Sequence, residues 1–193
     1  MEQNKLCNAV KRIGLAYLFI HIHINIGTID ILPDWLGYLW IFNALLVITE
    51  EIPTAKLLRP LGMVLTIWTF ISWLLAVFGM DLEIILGYLG PIEDVLGTVI
   101  HLYFHFQLLT DLARLATKYQ CPSDRVLLTL RTIRTVIHTV FALQLPWESS
   151  DVVYWIYMGI TVVYIFAALL ICVRLFTLRE ELWTRLQEKP EIG

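Results

Sequence analysis

The chain has 193 residues, of which 58% are hydrophobic and only 16% are charged, and its mean hydropathy is +0.71. Soluble domains carry about a quarter charged residues, so this composition argues against a soluble globular protein. The net charge is -3, and the sequence contains no block of Lys and Arg with interleaved aromatic residues. Nucleic acid is therefore excluded as an expected partner.

Six apolar segments are candidates for crossing a bilayer, which takes roughly 20 residues in a helix. We therefore predict an all-α polytopic membrane protein, a single domain built as a bundle of six transmembrane helices. A helical extension with apolar residues at helical spacing is expected after the last span. The predicted spans are 9–28, 34–49, 60–79, 91–114, 126–147 and 152–176, and the extension is 177–189.

The basic residues predict the orientation of these spans. All 14 Lys and Arg residues fall in the N-terminal segment, the C-terminal segment, the connections after even-numbered spans, or the adjoining helix ends. Lys and Arg accumulate on the cytoplasmic side of membrane proteins, so both termini are predicted to be cytoplasmic. Aromatic residues that suit the opposite interface are Trp35, Tyr38, Trp40, Tyr88, Trp147, Tyr154 and Trp155.

An acidic bend separates the first two predicted spans. Gly27 allows a turn, Pro33 cannot continue a helix ladder, and Asp34 is a good N-cap for the second helix. One interpretation is a capped turn on the outer face. The other is an outer vestibule in which Asp30 and Asp34 bind a cation or a cationic solute.

The segment G-T-I-D-I-L-P-D-W-L-G-Y, residues 27–38, resembles a signature of small multi-pass membrane proteins of Gram-positive bacteria. That signature reads G-x-I-D-I-L-P-D-[FW]-x-G-Y and follows the first helix. The resemblance covers a dozen residues, with a similar general layout elsewhere. It implies a bacterial plasma-membrane protein, and it implies no particular activity.

Polar residues inside the spans mark a candidate functional interior, because ionisable groups in hydrocarbon are costly unless they are paired or hydrated. His101 and His105 are four residues apart on the fourth span. Arg131, Arg134 and His138 form one stripe on the fifth. Counted along antiparallel neighbouring helices, His105 is level with Arg134, and His101 is level with His138.

Asp111 lies on a second face of the fourth span together with Gln107. We expect this carboxylate to pair with Arg131 or Arg134. The expected result is a pH-sensitive ligand site in the inner half of the bundle. Its predicted residues are His101, His105, Asp111, Arg131, Arg134 and His138.

Three interpretations of this cluster remain open. The first interpretation is a hydrogen-bond and ion-pair network that fixes helix register. The second is a pocket, open to the cytoplasm, that binds an anionic or polar solute. The third interpretation is a metal or haem site, because imidazole is the commonest metal ligand. Its ligands would be His101, His105 and His138, although no H-E-x-x-H glutamate lies between the first two.

His21 and His23 are interpreted differently. They are two residues apart, so they point to nearly opposite sides of the first helix and cannot share one ligand unless the helix unwinds there. We expect a structural role for each of them.

The favoured function is a transport or solute-binding component. Its size and helix number are similar to those of the substrate-binding subunits of energy-coupling-factor vitamin transporters, but their alanine-rich first helix is not evident. The alternatives are a non-transporting accessory or sensing membrane subunit and a histidine-ligated metal or haem membrane protein. For each of these functions the expected partners are the lipid bilayer and either a second copy of the chain or a partner membrane subunit. An enzyme is less favoured: Glu50-Glu51 resembles the paired glutamate of CAAX-type membrane proteases, but their arginine is missing.

Overall fold

The computed structural model describes residues 2–22, 25–26, 29–30, 32–80, 87, 90–143 and 151–188. These residues confirm the all-α class, with one short 3-10 helix, Pro53–Leu57, and one two-residue strand pair. The α-helices within the described part are α1 (Glu2–His21), α2 (Asp34–Glu51), α3 (Leu58–Val77), α4 (Gly90–Lys118), α5 (Ser123–Ala142) and α6 (Asp151–Glu188).

The first helix is shorter at its outer end than the predicted span 9–28. It ends at His21, and the antiparallel strands β1 (Asn25–Ile26) and β2 (Ile29–Asp30) follow it. Isoleucine favours strands, and the Gly-Thr pair between the two strands has the composition of a two-residue hairpin loop. Local β preference therefore ends the helix before the acidic bend.

The predicted N-cap of the second helix is also wrong. Pro33 occupies the cap position in an extended conformation, and Asp34 is the first helical residue. No side-chain hydrogen bond caps this end. Proline suits a position just outside a helix because it fixes φ and has no N–H to satisfy.

Helix α1 packs against both α2 and α6, and α4 packs against α5. The approach of α1 to α2 is closest at Gly37. A Cβ at this position would lie 2.6 Å from Ile20 Cγ1 and 2.9 Å from the carbonyl oxygen of Ala16. Small residues allow such close packing between membrane helices, and here Gly37 lets α2 approach the backbone of α1.

The apolar helices are exposed where a soluble protein would bury them. Two segments, Pro53–Val77 and Val152–Glu188, are long and apolar enough to cross a membrane by length and composition. Only 11% and 22% of their most apolar windows are buried inside the protein. Large exposed apolar surfaces mark contact with a membrane or a partner, so these two helices indicate membrane association.

The C-terminal extension continues α6 without a break as far as Glu188. At 1.5 Å per residue this helix is about 57 Å long, well beyond the roughly 30 Å of bilayer hydrocarbon. Its last turns are buried in the same core as Leu6 of α1, and thus pack on the bundle. The buried residues of this segment are Leu175, Leu178, Leu182 and Leu186.

An ion pair joins the ends of α2 and α4. Lys118 Nζ donates a hydrogen bond of 2.6 Å to the Glu51 carboxylate, and this bond lowers the pKa of Glu51. A lowered carboxyl pKa stabilises the fold above the unfolded-state pKa, and this contribution is lost as the pH falls through the folded-state pKa. Because the Lys118 side chain is 47% exposed, solvent screening keeps the contribution small.

Candidate functional site

Three helices bring polar side chains to one level of the bundle. His21 on α1, His105 on α4 and Arg134 on α5 each lie nine residues from a basic residue on the same helix. Nine residues correspond to about 14 Å along a helix. The three basic residues are Arg12, Arg114 and Arg125, respectively. The regular helical rise therefore positions the site.

A continuous chain of hydrogen bonds links two histidines and two tyrosines, and we call it the histidine–tyrosine chain. The Tyr17 hydroxyl oxygen lies 3.0 Å from His105 Nδ1, and the Tyr38 hydroxyl oxygen lies 3.0 Å from His105 Nε2. Tyr38 also contacts His101, with its oxygen 2.8 Å from Nδ1. Both tyrosines are completely buried, and His105 is 1% exposed. Both ring nitrogens of His105 are thus occupied by hydroxyl groups.

Arg134 lies beside this chain and is only 4% exposed. Its Nη2 atom is 3.5 Å from His21 Nε2, and its Nε atom is buried without a hydrogen-bond partner. Within the described residues, Arg134 forms no ion pair with any carboxylate. A buried guanidinium that lacks an acidic partner is unusual, because burial of a charge is costly unless it is paired.

Aromatic and imidazole rings surround His21, the residue that Arg134 contacts. The His21 ring stacks on Tyr17, with centroids 5.2 Å apart and planes 7° apart. The ring of His105 is 5.8 Å from that of His21, and the ring of Tyr164 on α6 is 6.1 Å from it. We define the Arg134 site as Arg134, His21 and these three neighbouring rings.

Arg131 does not join the Arg134 site. Its Nη1 atom donates a 2.9 Å hydrogen bond to the Thr110 hydroxyl, and its guanidinium lies 4.4 Å from the centre of the Phe106 ring. Both partners are on α4. The two arginines of the predicted stripe therefore have different neighbours, although the Nε atom of each is buried without a hydrogen-bond partner and neither forms an ion pair with a carboxylate of the described residues.

The prediction that Asp111 pairs with Arg131 or Arg134 is wrong. Asp111 is completely buried, and its Oδ1 atom accepts three hydrogen bonds at 2.6 to 3.2 Å. The donors are Thr54 of the 3-10 helix, Gln107 and Arg114. Successive helical residues point about 100° apart, so Thr110 faces α5 while Asp111 faces the 3-10 helix. Asp111 therefore anchors the 3-10 helix to α4.

His138 lies on the other side of the cluster from Arg131. It is partly buried, and its ring centre is 6.4 Å from that of Tyr164. The predicted metal ligands His101, His105 and His138 do not form a ligand group, and no three His, Cys, Asp or Glu side chains among the described residues could hold a metal ion. Two of these histidines instead contact tyrosine hydroxyls.

The outer vestibule stays a prediction. The backbone of Asp30 pairs with Asn25 in the strand ladder, and Asp34 begins α2. The side chain of Asp30 and the whole of His23 lie outside the described residues, as do 81–86 and 144–150 of the outer connections.

Several site residues were missed by reasoning from the sequence. Tyr38 was predicted to lie at a membrane interface, His21 was given a structural role, and Tyr17 and Tyr164 were not considered. One signal was available: Tyr17 and His21 are four residues apart on an apolar helix, as are His101 and His105. Two such pairs on different helices indicate two polar helix faces that pack against each other.

No model of a known protein family, no curated protein and no solved structure matches this chain. The functional assignment therefore depends on the chemistry of the Arg134 site and the histidine–tyrosine chain.

Proposed function

We propose that this chain is a six-span bacterial plasma-membrane protein that binds a small monoanionic solute at Arg134, as a transport or solute-binding component. One observation carries the proposal: the Arg134 guanidinium is 4% exposed and forms no ion pair with a carboxylate of the described residues. In this proposal the carboxylate that pairs with the Arg134 guanidinium belongs to the solute.

The energetics of burial support a functional role for this charge. An uncompensated buried charge costs several kcal/mol, and intramembrane ionisable residues are retained chiefly where they serve function. Asp111, a buried carboxylate nearer the inner end of α4, has its Oδ1 atom occupied by three donors, although its Oδ2 atom is buried without a partner. Among the described residues, the buried acid thus has protein donors, whereas the buried guanidinium has no carboxylate, and we assign that role to a ligand.

The number of cationic side chains in the site determines how many negative charges on a solute it can pair. One guanidinium presents a planar fork that matches one carboxylate, with two parallel N–H donors. A second negative charge would need a second cation, and Arg131 is already engaged by Thr110 and Phe106. The rings of Tyr17 and His21 stack on each other beside the guanidinium and give its surroundings a planar, aromatic character. A planar monocarboxylate suits these features.

Six membrane spans with cytoplasmic termini are consistent with the exposure of the apolar helices. The level of the site also supports this arrangement. At about 14 Å from the basic residues, it lies near the centre of a roughly 30 Å hydrocarbon layer. In such a layer the exposed apolar faces of α3 and α6 contact lipid.

Cysteine accessibility tests the six-span arrangement. Glu93→Cys and Glu148→Cys should react with a membrane-impermeant maleimide in intact cells, and Arg125→Cys should react only after permeabilisation. The naturally occurring cysteines, Cys7, Cys121 and Cys172, are buried. Labelling of Arg125→Cys in intact cells, or protection of both glutamate positions, would contradict the orientation.

Ligand-dependent thermal unfolding tests the anion site. In detergent, benzoate should raise the melting temperature of the wild-type protein, because a ligand at about 100 times its Kd stabilises the folded state by roughly 2.7 kcal/mol. Benzamide has the same ring and no charge, and should have no effect. Inorganic phosphate should have a weaker effect than benzoate because it carries more than one negative charge.

Two variants test whether the rise in melting temperature with benzoate depends on Arg134. Arg134→Met should abolish the shift with benzoate, and Arg131→Met, one turn away on the same helix, should retain it. An unchanged response in Arg134→Met would refute the site. If neither benzoate nor phosphate shifts the wild-type protein, the alternative of a non-transporting accessory or sensing subunit is favoured.

A further inference from the structure

We infer that the histidine–tyrosine chain is a proton relay that connects the Arg134 site with the side of the bundle where His101 lies. Its three hydrogen bonds, of 3.0, 3.0 and 2.8 Å, join four side chains from α1, α4 and α2 without a gap. The relay rests on the proposed function in one respect: one of its ends lies beside Arg134, the proposed anion site. The proton transfer itself depends only on these hydrogen bonds.

The chain is extended along the bundle. Tyr17 is five residues from Arg12, and His101 is thirteen residues from Arg114. At 1.5 Å per residue these positions are about 8 Å and about 20 Å from the basic ends of their helices. The ring centroid of His105 is 5.3 Å from that of Tyr17 and 6.5 Å from that of His101, so the two end rings of the relay are at most about 12 Å apart.

Each member of the chain is able both to donate and to accept a hydrogen bond. A tyrosine hydroxyl has one donor and can also accept, and a neutral imidazole has one N–H and one acceptor nitrogen. The whole chain can therefore point either way. In one direction Tyr17 donates to His105, His105 donates to Tyr38, and Tyr38 donates to His101. In the other direction every bond is reversed.

Conversion between the two directions moves one proton. A proton from water or from a bound carboxylic acid joins the Tyr17 oxygen, whose own proton passes to His105 Nδ1. The Nε2 proton of His105 passes to the Tyr38 oxygen, and the Tyr38 proton passes to His101 Nδ1. The Nε2 proton of His101 leaves to water. One proton enters, one leaves, and no member of the chain ends with a net charge.

The two ends of the relay have different neighbours. At the inner end, Tyr17 stacks on His21, whose Nε2 atom is the contact of Arg134. At the outer end, His101 is only partly buried, so its ring has access to the surroundings that His105 lacks. The relay therefore connects the proposed anion site to an accessible imidazole.

Proton uptake into liposomes tests the relay. Wild-type protein is reconstituted with trapped pyranine, and a potassium gradient with valinomycin drives protons inward. We expect uptake several-fold faster than in protein-free liposomes. Tyr38→Phe removes the hydroxyl that joins the two histidines, and should reduce the rate to that of protein-free liposomes.

A matched control and a second variant complete this test. Tyr103→Phe removes a hydroxyl from an exposed tyrosine of the same helix as His101, and should leave proton uptake unchanged. Tyr17→Phe breaks a different link and should abolish uptake even if Tyr38→Phe fails to fold. Wild-type uptake equal to that of protein-free liposomes, or uptake that survives in a folded Tyr38→Phe or Tyr17→Phe protein, would overturn the relay. The benzoate response of the wild-type protein does not depend on proton uptake, so failure of the relay and failure of the anion site are distinguishable.

Discussion

Replacement of Arg134 by Met is expected to raise the free energy of unfolding of the ligand-free protein. Arg134 is buried, and within the described residues it has no acidic partner to offset the loss of hydration. Replacement of a buried ion pair by apolar residues of similar volume is often neutral or stabilising by about 1 to 4 kcal/mol, and a buried charge without an acidic partner has less attraction to lose. Thermal unfolding in detergent should show a higher melting temperature for Arg134→Met than for the wild-type protein.

The neighbouring arginine provides the comparison for this result. Arg131→Met loses a hydrogen bond to Thr110 and a contact with the Phe106 ring, so it should be neutral or slightly destabilised. A gain in stability together with loss of the benzoate response is typical of a residue that is retained for function. A clear loss of stability in Arg134→Met would instead show that the guanidinium supports the fold.

Replacement of Asp111 by Ala is expected to cost about 3 kcal/mol of stability, because it removes a buried carboxylate that is hydrogen-bonded and ion-paired. Thr54, Gln107 and Arg114 would each lose their acceptor on α4. The 3-10 helix would also lose its anchor, so protease cleavage near residues 53–57 should become faster. The measurements are the melting temperature and the cleavage rate in the same detergent.

An exposed ion pair is the control for this variant. Glu188→Ala removes the partner of Arg185 at the surface, where the loss should be within about 1 kcal/mol. The double variant Asp111→Ala with Thr54→Val should be less destabilised than the sum of the single variants, because the two residues share a hydrogen bond. Equal small effects of Asp111→Ala and Glu188→Ala would show that the buried acid contributes little.

The helical class and most helix ends could be predicted because they depend on local properties. Apolar runs with clustered charges indicate helices, and α3 (Leu58–Val77) lies within two residues of its predicted span 60–79. The outer end of α1 could not be predicted in this way. The residues after His21 are apolar and suit either a helix or a short strand, and the structure has the strand pair there.

Only some residues of the candidate site could be predicted from the sequence, and the reason differs from the one that applies to the end of α1. Spacing within one helix correctly singled out His101 and His105 as a pair and Arg134 as an inward-facing residue. The partners of these residues lie on other helices, and partner choice depends on how closely the helices approach. Gly37 brings α2 against α1, and the next residue, Tyr38, contacts His105 on α4. Such an approach is a property of packing that a single helical pattern does not contain.

The partner of Asp111 illustrates the same limit. Charge alone favoured an arginine on α5, but the rotation of about 100° per residue turns Asp111 toward Thr54 and Thr110 toward Arg131. A count of depth along the helices could not distinguish these two adjacent faces. The acid that was expected to neutralise an arginine of the stripe therefore pairs elsewhere, and among the described residues no other carboxylate pairs with Arg134.

Anomalous diffraction from crystals grown with 4-bromobenzoate is the most direct test of the claim that Arg134 binds a monoanion. The bromine signal should appear inside the bundle beside His21 and Tyr164, with the carboxylate on the Arg134 guanidinium. The same signal should be absent from crystals of Arg134→Met. A bromine position found only at surface basic residues such as Lys118 or Arg125, or one that persists inside the bundle of Arg134→Met, would contradict the account.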